Sequence, residues 1–173
     1  MEIFGDLIKI LLPAGVVLYA MYLTVRSFLN KDLEKRLVDI KIKNNDIIMP
    51  IRLQAYERVC LLLERISPHQ LVLRVNDPTY NVAEFQQMLL KAVREEFHHN
   101  ISQQVYVSEQ SWDLVKAAME DIVMIINASA QQIRPDARGI ELAKAIMEQL
   151  MQRNEDPVAK ALKSVKAEVR MYF

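Results

Sequence analysis

The sequence predicts an all-α fold: an N-terminal transmembrane helix followed by a cytoplasmic helical bundle, with room for one short two-stranded β element. Three observations carry this reading. Glycine occurs only three times in 173 residues, so long stretches favour uninterrupted helix. Apolar residues recur at spacings of three and four along most of the chain, the period of a helix buried on one face. Residues 10–23 hold no charge at all, the signature of a segment that leaves water.

The N-terminal run comes first. Adding Leu7, Ile8, Thr24 and Val25 extends it to nineteen residues, interrupted only by Lys9. A helix of that length rises about 28 Å, close to the ~30 Å hydrocarbon thickness of a bilayer. On this reading Leu7, Ile10, Leu11, Leu12, Val16, Val17, Leu18, Met21 and Leu23 face lipid. Tyr19 and Tyr22 suit the inner interface, where amphipathic rings collect, and Lys9 snorkels outward. A cleaved signal peptide fits less well, because Glu2 and Asp6 precede the run and no small-x-small site follows it. A buried core helix is the plainer alternative, since the uncharged run is shorter than an ideal span. Arg26, Lys31, Lys35 and Arg36 form a basic flank, which the positive-inside rule places in the cytoplasm. The expectation is a single-pass inner-membrane protein, N-terminus out and bulk cytoplasmic.

Four segments follow: a transmembrane anchor (1–26), a juxtamembrane amphipathic helix (27–49), a helical bundle (50–153) and a C-terminal amphipathic helix (154–173). In the second, Leu33, Leu37, Ile40, Asn44 and Ile47 are spaced 4-3-4-3, a coiled-coil seam with one polar position that can set register. The seam allows a homodimer. Two heptads are short for that purpose, so packing on the chain's own bundle competes with it.

Pro50 interrupts this helix or opens the next one. Leu53, Tyr56, Val59, Cys60, Leu63 and Ile66 then form a wide apolar face. Ser67-Pro68 ends it and starts a new element. Residues 71–75 read as either helix or strand, and 103–107 as extended; together they are the candidate β pair. Asn81 with Glu84 is a capping-box start. Ser108 caps the longest helix, Arg134-Pro135 breaks it, and Asp136 caps the next. The last helix carries Val158, Leu162, Val165, Val169 and Tyr172, backed by Lys160, Lys163, Lys166 and Arg170. It is either one more bundle helix or an amphipathic helix that docks on a partner or on anionic lipid.

Little here can carry chemistry. Glu95-Glu96-Phe97-His98-His99 contains Glu-x-x-His twice, but a di-iron site needs a second such motif on another helix. The only other histidine is His69, so the pair reads as a polar helix end. Cys60 is the sole cysteine; in an apolar run its thiol is held protonated and inert. Glycine-rich phosphate loops, nucleophile elbows and Cys-x-x-Cys pairs are absent from the sequence. Glu57 and Glu64 share a face but are followed by Arg58 and Arg65, which suggests surface ion pairs. The 22 basic and 22 acidic residues balance, which argues against nucleic acid as a partner.

The stretches Arg52-Leu-Gln-Ala-Tyr-Glu-Arg58, Leu63-Glu-Arg-Ile-Ser-Pro68 and Ser102-Gln-Gln-Val-Tyr-Val-Ser108 cover under a quarter of the chain. In them the sequence resembles an uncharacterised family of bacterial single-pass membrane proteins with a helical cytoplasmic domain. The resemblance implies that layout and brings no activity or site residue with it.

The functional expectation is a non-catalytic accessory, scaffold or assembly protein, anchored beside other membrane subunits, with no catalytic residue, metal or cofactor. The alternative is a membrane-tethered enzyme or a helical domain that binds a small ligand.

Overall fold

The computed structural model describes the backbone of residues 2–153 and 155–172 and the side chains of residues 15–43, 45–153 and 155–171. Every regular element among them is helical: α1 (Glu2–Ile66), α2 (Pro68–Val75), α3 (Val82–Asn100), a 3-10 segment (Ile101–Val105), α4 (Glu109–Gln131), α5 (Gly139–Met151) and α6 (Pro157–Tyr172). The chain divides into two units, residues 1–49 and 50–173.

Unit 2 is a bundle around one apolar core. The end of α1 supplies Tyr56, Val59, Leu62, Leu63 and Ile66 on a single face. Phe85, Leu89 and Val93 of α3 and Val115, Ile122 and Ile126 of α4 interlock with them, joined by Leu142 and Ile146 of α5 and Val165 of α6. The stripe read from the sequence at 53–66 is this face in part: Tyr56, Val59, Leu63 and Ile66 are buried, Cys60 is half-buried, Leu53 is exposed, and Leu62 joins the core instead. Full burial of each such side chain contributes about 1.5–3 kcal/mol.

Local chemistry sets where the helices start. Pro68 occupies the first turn of α2, where its missing N–H costs nothing. Asn81 and Glu84 form a complete capping box at α3, with bonds of 2.9 and 3.0 Å. The Ser108 hydroxyl accepts from the Ser111 amide at 3.2 Å and opens α4. Asp136 does not cap α5; Arg138 stands at that position without a side-chain bond. The connection before α5 instead turns its carbonyls to α3. Val82 donates to Ala137 O at 2.9 Å and Ala83 to Pro135 O at 3.2 Å, which satisfies two amides that a helix start leaves open. Gly139 returns a bond to Tyr80 O at 2.9 Å. A Cβ at position 139 would stand 3.0 Å from that carbonyl and 3.3 Å from Phe85 Cβ.

The expected β element is not found. Residues 71–75 continue the helix that Pro68 starts, with Leu71 and Val72 turned into the core. Residues 101–105 wind as a 3-10 segment. Among the described residues the strand-like pairing is one isolated antiparallel bridge between Asn81 and Arg138. Pro50 does not break α1, which passes through both Pro13 and Pro50. Each proline removes one rung of the hydrogen-bond ladder and leaves the others standing.

Unit 1 corrects the largest expectation. Among the described residues no helix is long and apolar enough to cross a membrane. The transmembrane anchor at 1–26, the orientation drawn from Arg26, Lys31, Lys35 and Arg36, and the single-pass inner-membrane localisation fall with that finding. The uncharged run between Lys9 and Arg26 holds 16 residues, a rise of about 24 Å where ~30 Å is needed. The nineteen-residue span was reached only across Lys9, and Pro13, Gly15 and Thr24 dilute what remains. Val16, Val17, Leu18, Tyr19, Met21, Tyr22 and Leu23 are exposed on α1; the side chains of Leu7, Ile10, Leu11 and Leu12 lie outside the described residues.

Core packing and the closed Gly139 site predict distinct costs. Leu62→Ala should destabilise the full chain by about 2–5 kcal/mol and Gly139→Ala by about 1–3 kcal/mol. Met124→Ala, at an exposed position of α4, should stay within about 0.5 kcal/mol. Urea unfolding followed by circular dichroism measures all three; equal midpoints for Leu62→Ala and Met124→Ala would refute the assigned core.

Candidate functional site

Among the described residues of unit 2 a cluster of polar contacts converges on Glu168, the single acidic residue of α6. Its Oε1 accepts from the Tyr56 hydroxyl of α1 at 2.7 Å and from the Ser108 amide at 2.9 Å. Its Oε2 accepts from the Ser108 hydroxyl at 2.6 Å. One carboxylate thus ties α1, the start of α4 and α6, and it does so at a helix N-terminus, where negative charge is favoured. Arg52 donates to the Tyr56 oxygen at 3.1 Å, with its guanidinium 5.9 Å from the ring centre. Ser111 and Ser164 hydroxyls meet at 3.1 Å beside the same cluster.

Burial by itself would push the Glu168 carboxyl up, but bonds donated by Ser108, Ser111 and Tyr56 outweigh it and hold the group below the usual glutamate range. Tyr56 moves the other way. Burial first, and then its bond to Glu168, push its hydroxyl from 10.0 up to about 12, against the opposing Arg52. A carboxylate that stays charged and a phenol that stays neutral make a fixed structural tie. Neither is poised for proton transfer near pH 7.

Beside this tie lies a shallow apolar groove of about 280 Å³ lined by Leu53, Tyr56, Glu57, Cys60, Lys166, Val169 and Arg170. Cys60 is half-buried in its wall, and burial raises its thiol, so it remains protonated there. The groove is at the small end of ligand sites, and its charged groups stand at the rim.

The other sequence candidates are scattered. Leu33, Leu37, Ile40 and Ile47 are all exposed on α1; the Asn44 side chain lies outside the described residues. His99 Nδ1 lies 3.2 Å from the Glu95 carbonyl, in local helix-end contact. Among the described residues no group of three His, Cys, Asp or Glu converges as a metal site would require. Arg65 pairs with Glu96 of α3 at 2.7 Å rather than along its own helix. The sequence reading missed Glu168; the signal was a lone acid on a basic helix, between core positions Val165 and Val169.

Residues 2–172 match a family of unknown function, DUF7935. The chain belongs to that family. No curated protein and no solved structure matches it. Membership in DUF7935 therefore brings a shared sequence pattern over nearly the whole chain and no inherited activity.

The DUF7935 bundle should show the Tyr56–Glu168 tie in its pH profile. The raised tyrosine contributes stability that is intact below pH 10 and is lost as pH climbs towards about 12. The lowered carboxyl contributes stability that is intact above its ordinary value of 4.5 and is lost as pH falls below it. Melting curves from pH 3 to 11.5 should show both limbs. Tyr56→Phe should flatten the alkaline limb. Glu168→Gln should flatten the acid limb and cost about 1–3 kcal/mol at neutral pH through unmet donors. An alkaline limb unchanged in Tyr56→Phe would show that the tie carries no stability.

Proposed function

We propose that this chain is a non-catalytic accessory or scaffold protein: unit 2 is its folded helical module, and the exposed apolar side chains of α1 are where other protein surfaces join it. The observation that carries the reading is the contrast within α1. Over its last turns Tyr56, Val59, Leu62, Leu63 and Ile66 are buried, whereas Leu18, Leu29, Leu37 and Ile47 are each more than half exposed. Contiguous exposed apolar surface on this scale marks an interaction site in a folded protein. The polar groups of unit 2 that do converge are engaged with one another in the Tyr56–Glu168 tie, which favours a structural role for them.

A second reading has one specific observation behind it. The groove at Leu53, Cys60 and Val169 can hold a small apolar ligand in its roughly 280 Å³. Such a ligand would shield Cys60 from alkylation.

Purification of the tagged full chain in mild detergent, followed by native mass spectrometry, separates the two. The accessory reading expects protein partners in fixed stoichiometry, a second copy included, and no added small-molecule mass. A chain that carries a small molecule, with Cys60 protected from iodoacetamide until that molecule is removed, would replace it with the ligand-binding reading.

A further inference from the structure

The exposed face of α1 has an order that the short seam at 33–47 understates. Continuing it towards the N-terminus reaches Leu29, Val25, Tyr22 and Leu18, each three or four residues from the next. From Leu18 to Ile47 the stripe takes eight steps over 29 residues, about 3.6 residues per step, the period of a straight α-helix. A stripe with that period stays on one side of the helix instead of winding around it. Its eight apolar positions are between 47% and 67% exposed. Asn44 is the single polar position.

We infer that a second copy of this chain covers the stripe, in a parallel, in-register pair of α1 helices. The inference rests on the accessory reading and names its first partner. Three arguments select a copy of the same chain. At roughly 100 Å² for each fully covered side chain, eight positions bring about 800 Å² from each copy, the size of a standard stable interface. Asn44 meets an asparagine only when the same residue faces it, and parallel in-register pairing alone achieves this; any wholly apolar partner would leave that amide without a mate. Finally, two identical straight stripes match along their whole length, and the spacing of a different helix would have to reproduce the three successive four-residue steps from Val25 through Leu29 and Leu33 to Leu37.

The rim opposes this arrangement only weakly. In-register pairing brings Arg36 near Lys41 of the second copy, a like-charge contact. Arg36 is held by Asp32 of its own helix at 2.8 Å, and both sites are open to solvent, which screens what remains.

The test uses the full chain with Cys60→Ser. Leu37→Cys places a thiol on the stripe, and Lys35→Cys places one about 200° away around the helix. Mild oxidation should crosslink the Leu37→Cys protein and leave the Lys35→Cys protein uncrosslinked, and light scattering should give twice the chain mass. Leu33→Asp with Ile40→Asp should raise the dissociation concentration at least ~100-fold and leave the urea midpoint of the bundle in place. Asn44→Leu should tighten association at least ~10-fold or raise its order. A monomeric mass, equal crosslinking at 35 and 37, or an indifferent Asn44→Leu would each overturn the pairing. A monomer bound through this stripe to a different protein would also overturn it and leave the accessory reading intact. A monomer that carries only a small molecule would end both.

Discussion

Unit 2 depends on the burial of one face of α1 over its last turns. Tyr56, Val59, Leu62, Leu63 and Ile66 are at most 2% exposed. The other helices assemble around that face. Phe85 and Leu89 approach from α3, Val115 and Ile122 from α4, and Val165 from α6. The driving force is removal of apolar surface from water. The same helix carries leucine, isoleucine and valine at helical spacing further towards the N-terminus, and among the described residues of unit 1 these remain exposed. Composition alone therefore does not separate a core stripe from an open one; the presence of neighbours does.

Against this apolar background several polar contacts sit at seams between helices. Glu168 joins α6 to α1 and α4. Gln86 bonds Asn127 at 2.9 Å between α3 and α4, and Arg65 bonds Glu96 between α1 and α3. Most of the ion pairs are open to solvent, such as Lys160 with Glu155, and contribute little. Such contacts fix which helix faces which neighbour, and burial supplies most of the stability. Ser129 is the buried side-chain oxygen left without a protein partner among the described residues, a small local cost inside α4.

What could be read from the sequence follows from how far each interaction reaches along the chain. The Asn81–Glu84 box and the Ser108 cap span three residues, so their letters alone identify them. The core stripes at 3.6-residue period are likewise written locally, which is why the all-helical class emerged. The start of α5 is not legible at Asp136, because the partners of this connection are Tyr80 and Val82, more than fifty positions away. Glu168 stayed hidden for the same reason: its donors lie on α1 and before α4. Residues 71–75 are apolar enough for either period, and only burial of Leu71 and Val72 together decides for helix. Apolar content summed across Lys9 overstates the membrane span, because desolvating a charge there outweighs several leucines.

The carbonyls of Pro135 and Ala137 and the amide of Gly139 bind the connection before α5 to the connection before α3. Surface connections ordinarily tolerate added residues, because only their ends are constrained. These two are different. Each serves as the other's hydrogen-bond partner, and Gly139 leaves no space for a side chain between them. An extra residue in either would shift three main-chain bonds and uncover the first amides of α3. The α2–α3 and α4–α5 turns are thus a single clamp in two pieces, closed to inserted residues at either half.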